Sequence, residues 1–229
     1  MNDAGKRRLV IVGDSAFAEI AYEYFKYDSV YEPVAFAVEK AFLRRERLLD
    51  LPVVALEQLT DLYAPAAHHV FVAITYGQLN RLRRRLLDEV KSRGYSAASY
   101  ISSKAFVWRN VELGEHCFIM EDNVVQPFVK VGSNVIMWSG NHIGHHSTIG
   151  ENVFLSSHVV VSGFCKIGRN TFLGVNTTLA NNVTVGDDNW TGPGVTLMND
   201  TEPAALYPAK SEEPSKVSAL RFFKVRVGT

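Results

Sequence analysis

Four of the seven histidines, His142, His145, His146 and His158, fall within seventeen consecutive residues. Histidine is the side chain whose ordinary pKa, about 6.5, lies close to neutrality, so such a cluster offers proton transfer or metal ligation. Taken alone, His145 reads as a solvated corner residue, and His142 and His158 read as structural histidines. A second candidate lies near the N-terminus, where Gly13-Asp14-Ser15-Ala16-Phe17 closes a β-branched run and opens a helix-like stretch. Backbone N–H groups at the start of a helix can hold a pyrophosphate. The GxGxxG fingerprint is absent, so a dinucleotide site is not expected. Thr75 and Tyr76 lie at the end of the apolar run over 69–75, the switch-point position at which open α/β sheets bind ligands.

The elements that must position these residues follow two different patterns. Up to residue 100, strand-like and helix-like segments alternate. Strands are predicted over 7–12, 34–38, 52–55, 69–75 and 95–101. Helices are predicted over 15–27 with Ser15 as the cap, over 43–49, over 57–63, and over 78–93 with Gly94 as the stop. This alternation predicts a small, parallel, Rossmann-like α/β domain over residues 1–100 with right-handed crossovers.

From residue 101 a period of six takes over. Every sixth position from Ile101 to Leu197 is large and apolar, with Thr191 the one exception among seventeen. Glycine follows that position at 114, 132, 144, 150, 168, 174, 186 and 192, and small or β-branched residues recur four places after it. An amphipathic helix cannot give this period, and a hairpin meander would not hold register so long. A solenoid of short parallel strands can, because each coil buries its apolar positions on the next. The period is expected to run without an inserted loop from about 101 to 199, in five to six coils. The pattern alone is equally that of a purely structural β-solenoid.

Composition narrows the partners. An apolar content of 47% and a charged content of 21% over 229 residues suit two unequal globular domains. Lys plus Arg is 24 and Asp plus Glu is 24, so no charge excess points to nucleic acid or an anionic membrane. The basic run at 81–85 reads as a solvated helix face. No apolar run approaches the roughly 20 residues needed to span a bilayer, so membrane insertion is not expected. No signal-peptide pattern opens the chain, and the expected location is cytoplasmic. Cys117 and Cys165 make no disulfide framework.

The hexads over 113–197, of the form [LIV]-G-x-x-[STAV]-x, resemble the left-handed parallel β-helix of the hexapeptide acyltransferases. An opening α/β domain with VIVGDS, followed by GNHIGHHSTIGENVFLSSHVVVSGFCKIGRNTFLGVNTTL, resembles one subfamily more narrowly. That subfamily holds the sialic-acid O-acetyltransferases and the N-acetyltransferases of nucleotide-linked amino sugars in bacterial surface-glycan pathways. The resemblance implies a triangular β-helix of three hexads, hence 18 residues, per coil over residues 101–229, with a C-terminal tail. It also implies a homotrimer with acyl-CoA bound between adjacent helices. The implied function is acetyl-CoA-dependent N-acetylation of a nucleotide-linked amino sugar, as in lipopolysaccharide O-antigen biosynthesis. Sugar O-acetylation and a non-catalytic nucleotide-binding scaffold are the alternatives.

Residues one coil apart stack at roughly 4.8 Å, which lets the resemblance be laid onto particular positions. Asn123 and Asn141 are predicted to form a hydrogen-bonded ladder, and His145 to stack on Gly163. Cys117 and Cys165, 48 residues apart, fall on different faces, too far apart to be bridged. Acyl transfer from a thioester needs a base for the acceptor's proton and a donor for the developing oxyanion. The resemblance implies His145 as the general base and the Gly163 backbone N–H as the oxyanion donor. Many relatives have Glu or Asp after the base; here His146 stands there, as a tuning residue. The resemblance further implies CoA contacts at Phe154, Gly163, Gly174, Val175, Ala180, Gly192 and Pro193, and Pro208-Ala209-Lys210 resembles the element beside the CoA tail. Nucleotide-sugar contacts are implied at Gly13, Ser15, Ala16, Phe17, Val38, Glu39, Thr75, Tyr76 and Asn141. No metal is implied. The three-histidine zinc site of β-helical carbonic anhydrases needs a histidine pair five apart and a third more than thirty residues earlier, and this cluster does not reproduce it.

Overall fold

The computed structural model describes residues 5–211 and 213–225. The expectation that no signal-peptide pattern opens the chain falls in part on residues 1–4, which lie outside the described residues, as do 212 and 226–229. The chain opens with β1 (Arg7–Val12), α1 (Ala16–Tyr27), β2 (Tyr31–Val38), β3 (Arg47–Leu48) and β4 (Leu51–Ala55). It continues through α2 (Leu59–Leu62), β5 (His69–Val72), α3 (Arg81–Ser92) and β6 (Ser96–Ala97). These strands form one sheet in the order β3-β4-β2-β1-β5-β6, parallel throughout except for the β3–β4 hairpin. Period-two alternation along the central strands gives the sheet two apolar faces. Leu9, Ile11, Phe36 and Phe71 pack toward α1, whereas Val10, Val12, Val70 and Val72 pack with α3 residues Leu86, Leu87 and Val90.

Two predicted helices differ from the structure for identifiable reasons. Residues 43–49 do not form one: Leu49 and Asp50 both take left-handed φ, of 46° and 59°, and turn β3 back onto β4 in a two-residue hairpin. The helix predicted from residue 78 starts instead at Arg81, because Gln78, Leu79 and Asn80 are all left-handed. Asn80 is fully buried, and its amide donates to the carbonyls of Asn170 and Thr171, 3.0 and 3.3 Å away in the second half of the chain.

Two-residue strands then recur every six residues, from Tyr100–Ile101 to Thr196–Leu197, with a last one at Leu206–Tyr207. The strand predicted over 95–101 is split, its end serving as the first rung of this solenoid. Up to Thr196–Leu197 each strand pairs in parallel with its neighbours 18 residues away, and Leu206–Tyr207 pairs with Trp190–Thr191 at an offset of 16, giving three sheets of seven, six and five strands. The result is a parallel β-helix with three flat faces. Its interior is the ladder of every-sixth residues, from Ile119, Val125 and Val131 through to Leu179 and Val185. Glycine follows those residues for a steric reason. A Cβ on Gly168 would lie 2.4 Å from the Asp187 nitrogen of the next coil, and one on Gly114 would lie 2.5 Å from that of Ser133.

The first face carries outward Tyr100, Phe118, Ile136, Phe154 and Phe172, all buried against the α/β sheet and α1. Beside it runs a corner of left-handed residues one coil apart: His116, Asn134, Asn152, Asn170 and Asp188. The Val72 amide donates to His116 Nε2 at 2.8 Å, so His116 is the Nδ1–H tautomer and donates to Asn134 Oδ1, also at 2.8 Å. Each asparagine then donates to the next residue of the ladder, ending on the Asp188 carboxylate. Burial holds His116 far down, to about 3. Arg83 of α3 is wholly buried against the same corner, donating to Asn134, to the Asn152 carbonyl and, at 2.6 Å, to the Thr75 carbonyl. Burial lowers its pKa to about 9, so the guanidinium is charged at neutral pH. Among the described residues no helix is long and apolar enough to cross a membrane.

Candidate active site

His145 projects from the corner between the second face, whose strands start at 106, 124, 142, 160, 178 and 196, and the third. Its backbone is fixed by its own N–H, which donates to Gln126 Oε1 at 2.9 Å. Its imidazole lies over Gly163 of the next coil: a Cβ there would meet Cε1 at 2.9 Å and Nε2 at 3.0 Å. The predicted stack is thus present, and glycine is the residue that leaves room for the ring. His145 Nδ1 lies 3.2 Å from His146 Nδ1, close enough for one proton to be shared between them. His146 is clamped between Phe128 and Phe164, with ring centroids at 4.6 and 4.9 Å and interplanar angles of 26° and 19°. Those three residues form an aromatic ladder one coil apart, and Phe164 also meets His145 edge-on at 5.0 Å. The clamp was not foreseen from sequence, although its 18-residue spacing is the signal that would have found it.

The Gly163 N–H donates to Asn181 Oδ1 at 2.9 Å, one coil further on, an exposed side chain on the same corner. The expectation that Phe154 meets CoA is corrected. It is only 2% exposed, stacked on Phe172 and met edge-on by Tyr76 under the α/β domain, where a ligand cannot reach it. Gly174 and Gly192 are places of close coil packing, where a Cβ would meet Thr191 O at 2.6 Å and Ala209 N at 2.5 Å. Val175 and Pro193 are exposed, but they stack on the corner between the first and second faces. Ala180, beside Asn181, shares the His145 corner. The single chain therefore presents its expected CoA contacts on the two edges of the second face, not in a single groove. That face leaves Phe106, Trp108 and Val160 exposed at 51%, 41% and 38%.

At the C-terminal edge of the α/β sheet a cavity of about 350 Å³ is lined by Gly13, Asp14, Ser15, Val38 and Glu39, as expected, and by Phe42, Ile74, Gln78, Leu82 and Arg85. Gly13 has φ +123°, and a Cβ on it would strike the Ala73 carbonyl at 2.8 Å, so glycine is what lets the β1 and β5 ends converge. Arg85 holds Glu39 in a bidentate pair at 3.0 and 2.8 Å, and Arg45 lies 3.4 Å from Asp14. Ser15 caps α1 through its carbonyl, with its side chain unbonded.

Five substrate candidates do not line the cavity. Phe17 is buried between Phe118 and Trp138, because its position on α1 faces the β-helix. Asn141 is the predicted ladder partner of Asn123, at 2.9 Å, and is buried at 1% exposure. Its oxygen accepts from the Val159 amide, so nothing remains for a substrate. Thr75 and Tyr76 do not line the cavity; Thr75 serves Arg83, and Tyr76 packs on Phe154 and Phe172. Ala16 is exposed at the start of α1. Both cysteines are free and buried, and among the described residues no three His, Cys, Asp or Glu side chains group as a metal set.

With this geometry in view, a family profile described as bacterial transferase hexapeptide, six repeats, matches residues 146–181. The acetyltransferase domain of PglB from Neisseria gonorrhoeae, in complex with acetyl coenzyme A, superposes with a TM-score of 0.80 at 20% identity, over 92% of this chain and 100% of that one. PerB from Caulobacter crescentus, in complex with CoA and GDP-perosamine, superposes at 0.79 and 25% identity, over 88% and 93%. WeeI from Acinetobacter baumannii superposes at 0.67 and 18%, over 88% and 96%. No curated protein matches the chain by sequence. Residues 146–181 thus match the hexapeptide repeat, and the chain has the two-part fold of these solved structures, an α/β domain followed by a left-handed parallel β-helix.

Proposed function

We propose that this protein transfers the acetyl group of acetyl-CoA to the amino group of a nucleotide-linked amino sugar, in the assembly of a bacterial surface glycan such as an O-antigen. The observation that carries the reading is the His145 imidazole seated over Gly163 on a β-helix corner, in a chain that also holds an α/β cavity suited to a nucleotide. The Caulobacter protein, which holds CoA and GDP-perosamine and covers nearly the same span, supports it.

In this mechanism His145 Nδ1–H donates to His146 Nδ1, which leaves His145 Nε2 bare on the side facing Gly163. Nε2 takes the proton as the sugar amine attacks the thioester carbon. The C–N bond forms, the C–S bond breaks, and the proton passes from the imidazolium to the CoA sulfur. No covalent enzyme intermediate is needed. His146 is a positioning residue: the Phe128–Phe164 clamp fixes its ring, and its ring fixes the tautomer of His145. In the α/β domain, Gly13 and Ser15, which line the cavity, would receive the pyrophosphate together with the backbone of Ala16 at the start of α1, and Val38 and Glu39 the nucleoside.

Assembly as a homotrimer would cover the apolar second face. It would also set the His145 corner of one protomer against the Val175–Pro193 corner of its neighbour, completing a CoA groove. Both substrates are soluble nucleotides, which puts the reaction in the cytoplasm. The test is release of free thiol from acetyl-CoA against a panel of GDP-, UDP- and dTDP-linked amino sugars. Acceptor-dependent release with at least one amino sugar, and none with its hydroxyl counterpart, is expected. Release only with hydroxyl acceptors, or with none, would overturn the reading.

A further inference from the structure

The chain is neutral as a whole, but its charge is not evenly spread. Over 214–229 it carries Lys216, Arg221, Lys224 and Arg226 and no acidic residue, which leaves the remainder negative by four. The same stretch carries Val217, Leu220, Phe222, Phe223 and Val225. Every residue from 213 to 225 is exposed, Phe222 and Phe223 at 71% and 73%. None of those five apolar side chains joins the apolar cores of either part of the fold. A one-turn helix, Ala219–Phe222, is capped by Ser218, whose Oγ accepts from the Arg221 N–H at 3.2 Å. Among the described residues, the hydrogen bonds made by 215–225 all stay within that segment.

So much exposed apolar surface belongs against a partner or a membrane. A protein groove takes a helix by a continuous apolar stripe, read at i, i+3, i+4 and i+7. On a helical period Lys216, Arg221, Lys224 and Arg226 fall on several sides, and over 223–227 apolar and basic residues alternate one by one. A second copy brings the same positive charge, so pairing of two such segments opposes itself. A lipid headgroup layer suits both kinds of side chain: phenylalanine enters the acyl boundary while the Lys and Arg stems reach back to the phosphates. We propose that residues 214–229 form a peripheral attachment site for an anionic lipid surface of the phosphatidylglycerol type. Apolar burial and charge attraction act together there, without a spanning segment. The stretch follows the last rung, Leu206–Tyr207, so in a cyclic trimer three copies of it would lie at one end and meet one surface together. The assignment stands apart from the acetyltransferase reading, since no residue of either proposed substrate site takes part.

Flotation of the full chain with lipid vesicles tests it. Wild type should float with vesicles of phosphatidylcholine mixed with phosphatidylglycerol, and stay behind with phosphatidylcholine alone. High salt should release it, because screening weakens the attraction between exposed charges. Lys216→Gln, Arg221→Gln and Lys224→Gln together should lower the bound-to-free ratio on the order of 10²-fold, about fivefold for each charge lost. Phe222→Ser with Phe223→Ser should lower it about tenfold or more. Thermal unfolding of both variants should match wild type, as the altered side chains lie outside the cores. Wild type that binds neither kind of vesicle, or both equally, would overturn the proposal, and so would variants that float like wild type. If wild type floats with neither and the Phe222→Ser, Phe223→Ser variant sediments as a smaller assembly, the segment belongs to an interface between copies and the proposal falls.

Discussion

Replacing His146 by glutamate would put an anion where the structure has a second imidazole, 3.2 Å from His145 Nδ1. A carboxylate there stabilises the protonated base, so the acid limb of the kcat/KM profile should move to higher pH while activity persists. His146→Ala removes the partner altogether, and kcat should fall with little change in KM. A packing role alone would leave the pH profile of both variants unmoved. Gly163→Ala makes a different demand: its methyl would enter the space of the His145 ring, at 2.9–3.0 Å, and push the base aside. Turnover should drop sharply with the fold intact, because the displaced group is an exposed side chain and not backbone. At this scale the sequence was legible where spacing alone decides contact. His145 over Gly163 and Asn123 to Asn141 both follow from a separation of 18. It was illegible where a third residue intervenes. Nothing in the hexad pattern says that Phe154 faces the α/β domain and not a ligand.

Coils stack through backbone contacts that leave no room for a methyl. Gly168→Ala would place Cβ 2.4 and 2.5 Å from Asp187 N and Gly186 C, atoms that cannot swing away. A loss of about 1–3 kcal/mol, the usual range for overpacking, is expected by denaturant unfolding. The polar ladder beneath α3 gives the elements their pH response. His116 is held at about 3, below histidine's ordinary value of about 6.5, so in that window the unfolded chain binds a proton the fold refuses. Its contribution is complete above about pH 6.5 and is lost as pH falls toward 3. Between pH 6.5 and pH 4 the linkage amounts to about 3 kcal/mol. His116→Gln should flatten the fall in Tm over that range relative to wild type, and parallel curves would show that the shift is not realised. The helix predicted from Gln78 shows why element ends were harder to read than element kinds. Local spacing favours a longer α3, but burial of Asn80 against the β-helix holds 78–80 in left-handed turns. The hairpin at Leu49-Asp50 carries no glycine or asparagine, so its turn was silent in the sequence.

At the scale of the whole molecule, the two sequence patterns, βα alternation and a period of six, correspond to the two parts of the fold. What they do not encode is how the parts meet: Arg83 and the first face's aromatic ladder look like a solvated run and a repeat until the α/β sheet closes over them. The exposed second face, with Phe106, Trp108 and Val160, is where association of copies is expected. Sedimentation should give three times the monomer mass, and Trp108→Glu should shift it toward monomer with loss of acetyl-CoA binding. A wild type that stays monomeric at micromolar concentration would contradict a groove shared between protomers. The central claim concerns proton abstraction by His145, and single-acceptor kinetics of His145→Ala test it most directly. Thiol release from acetyl-CoA, with the amino sugar on which the wild type is active, should fall about 10²–10⁴-fold in kcat. KM values should stay nearly unchanged, because the lost interaction belongs to the transition state. Equal turnover by His145→Ala and wild type would remove His145 from the chemistry and leave the β-helix as a scaffold.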